Sequence, residues 1–167
     1  MNPANPSSLK GNALALATVL ARWFLGSFFI YMGLNKALHP VEFLKLVRQY
    51  DLVQNYLGLN LIAAGLPWLE IFFGLLLMLG VAVRGSALML FAMLIPFTWA
   101  ILHRALAMHS LGGIAFCAIK FDCGCGTGEV FICWKLVENS MLILLSLALL
   151  FWRSQALCWR HSLIESD

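Results

Sequence analysis

Chemistry is concentrated in Phe121-Asp122-Cys123-Gly124-Cys125-Gly126-Thr127-Gly128. Two thiols separated by one glycine can close a small, strained disulfide ring, and strain makes such a bond easier to reduce and exchange. The same two thiols can instead ligate a soft metal. Gly126 and Gly128 free the backbone for either arrangement. Cys123 and Cys125 are therefore the candidate catalytic pair. The chain holds three further cysteines, Cys117, Cys133 and Cys158. A cysteine in an apolar run behaves as a small hydrophobe by default, which covers Cys158. Cys117 and Cys133 flank the pair and are also candidate resolving or accessory thiols. Lys120 and Lys135 favour thiolate and Asp122 opposes it, so no one cysteine is singled out as the attacking group. The rival chemistry is four thiolates from Cys117, Cys123, Cys125 and Cys133 around zinc, or two around copper(I). The spacing fits no standard zinc signature, and no metal is assigned.

The elements that hold this stretch are membrane helices. Of 167 residues, 62% are hydrophobic and 11% charged, with mean hydropathy +0.87. Soluble domains carry about a quarter charged residues, so the composition predicts an all-α integral membrane protein. A span needs roughly 20 apolar residues, and the chain divides into four, at about 13–35, 61–83, 85–102 and 130–152. Residues 1–12 form an expected disordered leader and 153–167 an interfacial, polar tail. The first apolar run is too long for a signal peptide and has no cleavage site at its far end. Between spans one and two, Val41 to Tyr56 alternates polar and apolar residues at helical spacing. It predicts an amphipathic helix at the interface or packed on its own bundle. The turn between spans two and three is expected at Arg84-Gly85-Ser86. Ala105 to Phe121 is expected as an interfacial or re-entrant segment, and most tryptophans, Trp68 and Trp99 among them, fall near expected span ends. Gly26 and Gly33 share one helix face and suit close packing on a neighbour. A charge of +3 gives no footing for nucleic acid, and lipid is the first partner. The oligomeric state is not legible.

Arg22 and Glu70 each lie about ten residues into antiparallel spans, roughly 15 Å deep. Lone charges there are costly, so an Arg22–Glu70 pair is expected, either as a strut or lining a quinone or proton path. Glu138 and Asn139 are a shallower polar pair that extends this buried network. Orientation is open: Lys36, Lys45, Arg48, Arg104, Lys120 and Lys135 on the cysteine side outnumber Lys10, Arg84, Arg153 and Arg160. By the positive-inside rule that count places the cysteines in the cytoplasm, but two of the six lie on the amphipathic helix, and charge alone does not decide.

Taken in order, several short motifs resemble the DoxX-like superfamily, and within it the MauE (methylamine utilisation) branch. They are Arg22 with Gly26, Gly33-Leu34-Asn35-Lys36, then Phe43, Val47 and Tyr50. Leu66-Pro67-Trp68-Leu69-Glu70 with Gly74, Cys123-Gly124-Cys125 and Asn139 follow. The similarity covers roughly residues 13–150. It implies a multi-pass protein of the bacterial inner membrane with a periplasmic Cys-Gly-Cys loop. It also implies thiol–disulfide traffic with a thioredoxin-like partner, in maturing a disulfide-containing periplasmic protein. Relatives in the wider superfamily are linked to quinone-coupled sulfur oxidation. The chain departs from the branch in following Cys-Gly-Cys with Gly126-Thr127-Gly128 rather than Phe-Gly, and in a longer apolar insert before it.

The expected function is a membrane thiol–disulfide relay, an oxidoreductase activity with a quinone as candidate cofactor. The alternative is a non-catalytic assembly factor whose cysteines are structural. Metal binding ranks lower. So does solute transport, because intramembrane polar groups are few and no inverted repeat is visible.

Overall fold

The computed structural model describes residues 6–50, 55–112, 115–122 and 129–151, with side chains from Leu14 onward except that of Asp122. Cys123, Cys125 and Cys158 lie outside the described residues, as do 1–5 and 152–167. Five helices follow one another: α1 (Pro6–Leu38), α2 (Pro40–Gln49), α3 (Tyr56–Leu79), α4 (Val83–Gly112) and α5 (Ile132–Phe151). A 3-10 turn (Phe116–Ala118) and two short strands, β1 (Lys120–Asp122) and β2 (Glu129–Phe131), separate α4 from α5. Four helices are long and apolar enough to cross a membrane, from Leu14–Leu38, Tyr56–Leu79, Val83–Gly112 and Ile132–Phe151. Large apolar side chains cover their outer faces: Trp23, Phe24, Phe72, Met141 and Leu144 are each more than half exposed. Such a surface belongs in lipid, where only structures that satisfy their own backbone hydrogen bonds are stable. The chain is an all-α membrane protein.

Glycine brings α1 against α3. A Cβ on Gly26 would stand 2.7 Å from the Gly74 carbonyl oxygen, and one on Gly33 would stand 2.7 Å from that of Pro67. The backbones touch because neither glycine has a side chain, which is how membrane helices approach without a hydrophobic driving force. Leu25, Phe29, Leu77, Leu90, Leu142 and Leu149 fill the bundle core beside this contact.

Several boundaries differ from those expected. The first helix already includes Pro6 to Asn12, inside the expected leader. The second turn falls at Gly80–Ala82, not at Arg84-Gly85-Ser86. Gly80 takes the left-handed conformation (φ 75°) and Val81 N–H donates to the Leu76 carbonyl, closing the helix where only glycine fits easily. Ala105 to Gly112 is not a separate re-entrant segment but continues α4, because the run holds no proline and Gly112 comes only at its end. At 1.5 Å per residue α4 is roughly 45 Å long and outreaches a hydrocarbon core of about 30 Å. Trp68 and Trp99 lie mid-helix, though both face outward. The amphipathic α2 packs on the bundle, with Phe43 buried and Lys45 and Arg48 turned out or partly so.

Candidate functional site at the hairpin end of the bundle

Beyond the core, the far end of α4, the 3-10 turn and the start of α5 make a small cap. Met32, Ile101, Ala105, Ile119, Phe121 and Ile132 are buried together there, with Tyr50, Phe97 and Cys133 packed against them. The chain enters through Lys120-Phe121-Asp122 and leaves through Glu129-Val130-Phe131, and these pair antiparallel: Lys120 with Phe131, Phe121 with Val130, Asp122 with Glu129. Successive side chains of a strand point to opposite faces, and Phe121 is buried in the cap while Lys120, Glu129 and Phe131 are exposed. Lys120 Nζ lies 4.3 Å from the Phe131 ring centroid, and the Arg104 guanidinium lies between the rings of Tyr50 (5.7 Å) and Phe121 (5.4 Å). Segment 123–128, which carries Cys123 and Cys125, thus connects two paired strand ends that are anchored in the cap.

The base of that hairpin is cross-linked. Cys117 in the 3-10 turn and Cys133 at the head of α5 form a disulfide, with Cα atoms 5.1 Å apart and a sequence separation of 16. Ile132 N–H also donates to the Ile119 carbonyl at 3.1 Å. The structure thus brings the two candidate accessory cysteines together as a bonded pair. In this oxidised form they offer no thiolates, so a four-thiolate zinc site requires the bond to be reduced first. Among the described residues no cluster of three metal-ligating side chains is present.

The buried polar groups are paired differently from the sequence expectation. Glu70 pairs with Lys36, Nζ to Oε1 2.5 Å, both side chains buried. Arg22 is also buried, and its Nε donates to the Leu77 carbonyl at 3.2 Å. The reason is register. Gly33 sits level with Pro67 and Glu70, and Gly26 level with Gly74 and Met78, so Arg22 meets α3 about two turns away from Glu70. Counting depth from assumed span ends misplaced the two helices along each other. Glu138 accepts from Lys135 at 2.6 Å, and Asn139 Nδ2 donates to Thr98 Oγ1 at 3.1 Å, tying α5 to α4. Lys36 and Lys135 are the residues that sequence reasoning missed, having been counted as loop charges. The signal for Lys36 was present: it lies three residues after Gly33, on the glycine face that meets α3.

Residues 13–153 match the family model described as Methylamine utilisation protein MauE. The chain belongs to the MauE family. The match spans every transmembrane helix, the disulfide and the hairpin, and makes the chain a multi-pass membrane protein of methylamine utilisation. No curated protein and no solved structure gave a match. For this MauE-family protein, family and composition therefore agree on the architecture, and the geometry of its cysteines has to carry the chemistry.

Proposed function

We propose that this MauE-family protein is a thiol–disulfide relay of the bacterial inner membrane. In this relay Cys123 and Cys125 exchange with a periplasmic thioredoxin-fold protein and hand their electrons to the Cys117–Cys133 disulfide. The observation that carries the proposal is that disulfide, set at the base of the hairpin whose strands bracket the second cysteine pair. Three residues of strand separate base from tip, about 10 Å. Cys123 follows Asp122 directly and Cys125 comes two residues later, so both belong to the segment that joins the two strands rising from the bonded pair. Attack of one thiolate on the Cys117–Cys133 bond gives a mixed disulfide. The second thiol resolves it, leaving Cys123–Cys125 oxidised and Cys117 and Cys133 reduced. Two electrons and two protons pass from one pair to the other.

A periplasmic placement suits disulfide chemistry, and the charge count no longer opposes it. Lys36 and Lys135 are themselves buried and bound up in ion pairs, which leaves four cations counted on each side of the membrane. The proposed client is a disulfide-containing periplasmic protein, as the resemblance to the MauE branch implies. If the cysteines were structural only, the protein would instead be an assembly scaffold.

Thiol trapping in intact cells separates these two. Rapid acid quenching followed by a maleimide mass tag should show the thiols of Cys123 and Cys125, and with them those of Cys117 and Cys133, changing state when the periplasm is made reducing or oxidising. Cys123→Ser and Cys125→Ser should each abolish client maturation. Normal maturation in both variants would sink the relay and leave the scaffold.

A further inference from the structure

A cavity of about 300 Å3 lies between α2, α3 and α4, walled by Phe43 and Tyr50, by Leu66, and by Ala92, Pro96 and Phe97 among others. Its mouth is on the outer surface of α4, where Ala92 and Pro96 are exposed, so anything entering comes from the lipid. The walls are almost wholly carbon. A narrower void of about 20 Å3 shares Leu66, Met93 and Phe97 with it and ends on Glu70. Lys36 Nζ stands 5.3 Å from the Phe97 ring centroid and 5.4 Å from that of Phe43, at the edge of the same walls. Glu70 is 6% exposed, yet its Oε2 has no hydrogen-bond partner among the described residues. A buried polar atom without a partner is a costly exception in a folded protein, and here it belongs to a residue that lines the narrower void, whose Leu66, Met93 and Phe97 walls are shared with the larger cavity.

We propose that this cavity binds a single-ring, lipid-soluble quinone and its quinol, with a ring oxygen at the Lys36–Glu70 pair. The chemistry follows from the two side chains. An ammonium has three donors; one of those on Lys36 serves Glu70 Oε1, leaving others for a quinone carbonyl. Glu70 Oε2 accepts from a quinol hydroxyl. Both redox forms are therefore held by the same pair, while aromatic walls take the ring and a prenyl tail trails through the mouth. A lipid acyl chain would fill the walls but leave Oε2 as it is. A water-soluble anion has no way in. The volume lies at the small end of ligand sites, which suits one substituted ring.

The assignment rests on the relay reading for its purpose. Tyr50 and Phe97 of the cavity wall and Cys133 of the disulfide pack against one apolar cluster. Once Cys117 and Cys133 have been reduced, their two thiols release two electrons and two protons as the sulfur–sulfur bond re-forms. The quinone takes up both and leaves as quinol.

Binding is tested with purified protein in quinone-free nanodiscs, titrated with decylubiquinone and followed by quenching of intrinsic fluorescence. The parent should bind saturably. Ala92→Trp, at the exposed mouth where folding tolerates bulk, should weaken binding by about tenfold or more, and Glu70→Gln should do the same for decylubiquinol titrated under nitrogen. Ala92→Ser should bind as the parent does, and so should a Cys117→Ser/Cys133→Ser protein. Absence of saturable binding by the parent, or Ala92→Trp binding like Ala92→Ser, would overturn the site. A second arm mixes fully reduced parent with decylubiquinone under nitrogen. Quinone that binds but is not converted to quinol would sink the relay reading while leaving the site in place.

Discussion

Lys36 and Glu70 are a charge pair held among Phe43, Phe97 and Leu66 in the membrane half of the bundle. Desolvating two ions is expensive, and the pair is tolerated because each offsets the other. Removing one partner strands the other: Lys36→Met should lower stability by about 3–5 kcal/mol, seen as a reduced melting temperature in detergent. Lys36→Met/Glu70→Leu should recover most of that loss, since two well-packed apolar side chains replace a buried pair at little cost. If the double variant is no more stable than the single, the pair contributes in some other way than mutual neutralisation. At this scale the sequence was half legible. It showed that Glu70 needs a buried partner and that one face of α1 meets α3. It did not show the vertical register of the two helices, which the contacts of Gly26 and Gly33 set, and so it offered Arg22 where Lys36 stands.

Among elements, the α1–α3 contact and the hairpin carry the account. A Cβ on Gly74 would stand 2.9 Å from the Gly26 carbonyl oxygen, and backbone cannot give way as a side-chain tip can. Gly74→Val should therefore cost about 1–3 kcal/mol as an overpacked contact. Gly65→Ala, with nothing within 4 Å of the added Cβ, should gain roughly 0.5–1 kcal/mol from helix propensity. A melting series in one detergent compares them, and equal effects would mean that the helices are not in backbone contact. The disulfide closes a loop that contains both strands. Cys117→Ser/Cys133→Ser should lose about 3 kcal/mol by the loop-closure argument, with protease cutting appearing first between Ala115 and Ile132. The four long helices were legible because about 20 consecutive apolar residues have few other uses. The hairpin was missed because each strand is three residues long. Its only sign was polar–apolar alternation in Lys120-Phe121-Asp122, easily lost beside the cysteines. The Cys117–Cys133 pairing was not legible either, since sequence shows neither that α4 runs on to Gly112 nor that the chain then doubles back.

Across the whole molecule, one end of the bundle gathers the disulfide, the hairpin, the cation-bearing aromatic cap and the polar pair beneath, while the other end offers a short turn at Gly80–Ala82. A relay for periplasmic clients requires the first end to face the periplasm. In a chain freed of native cysteines, Ser110→Cys at the exposed end of α4 should react with a membrane-impermeant maleimide added to whole cells. Arg84→Cys should react only after the cells are opened, and the reverse pattern would place the cysteines in the cytoplasm.

The central claim is that the two cysteine pairs exchange with each other, and it is tested most directly by peptide mass mapping of purified Cys125→Ser and Cys123→Ser proteins. Each variant keeps one thiol of the Cys123/Cys125 pair beside an intact Cys117–Cys133 bond, with Cys158 as the remaining cysteine. The relay predicts that at least one variant accumulates a cross-pair disulfide, joining the remaining thiol to Cys117 or Cys133 and releasing the other as a thiol. A Cys117–Cys133 bond that stays intact in both variants, with no cross-linked peptide at equilibrium, would contradict it.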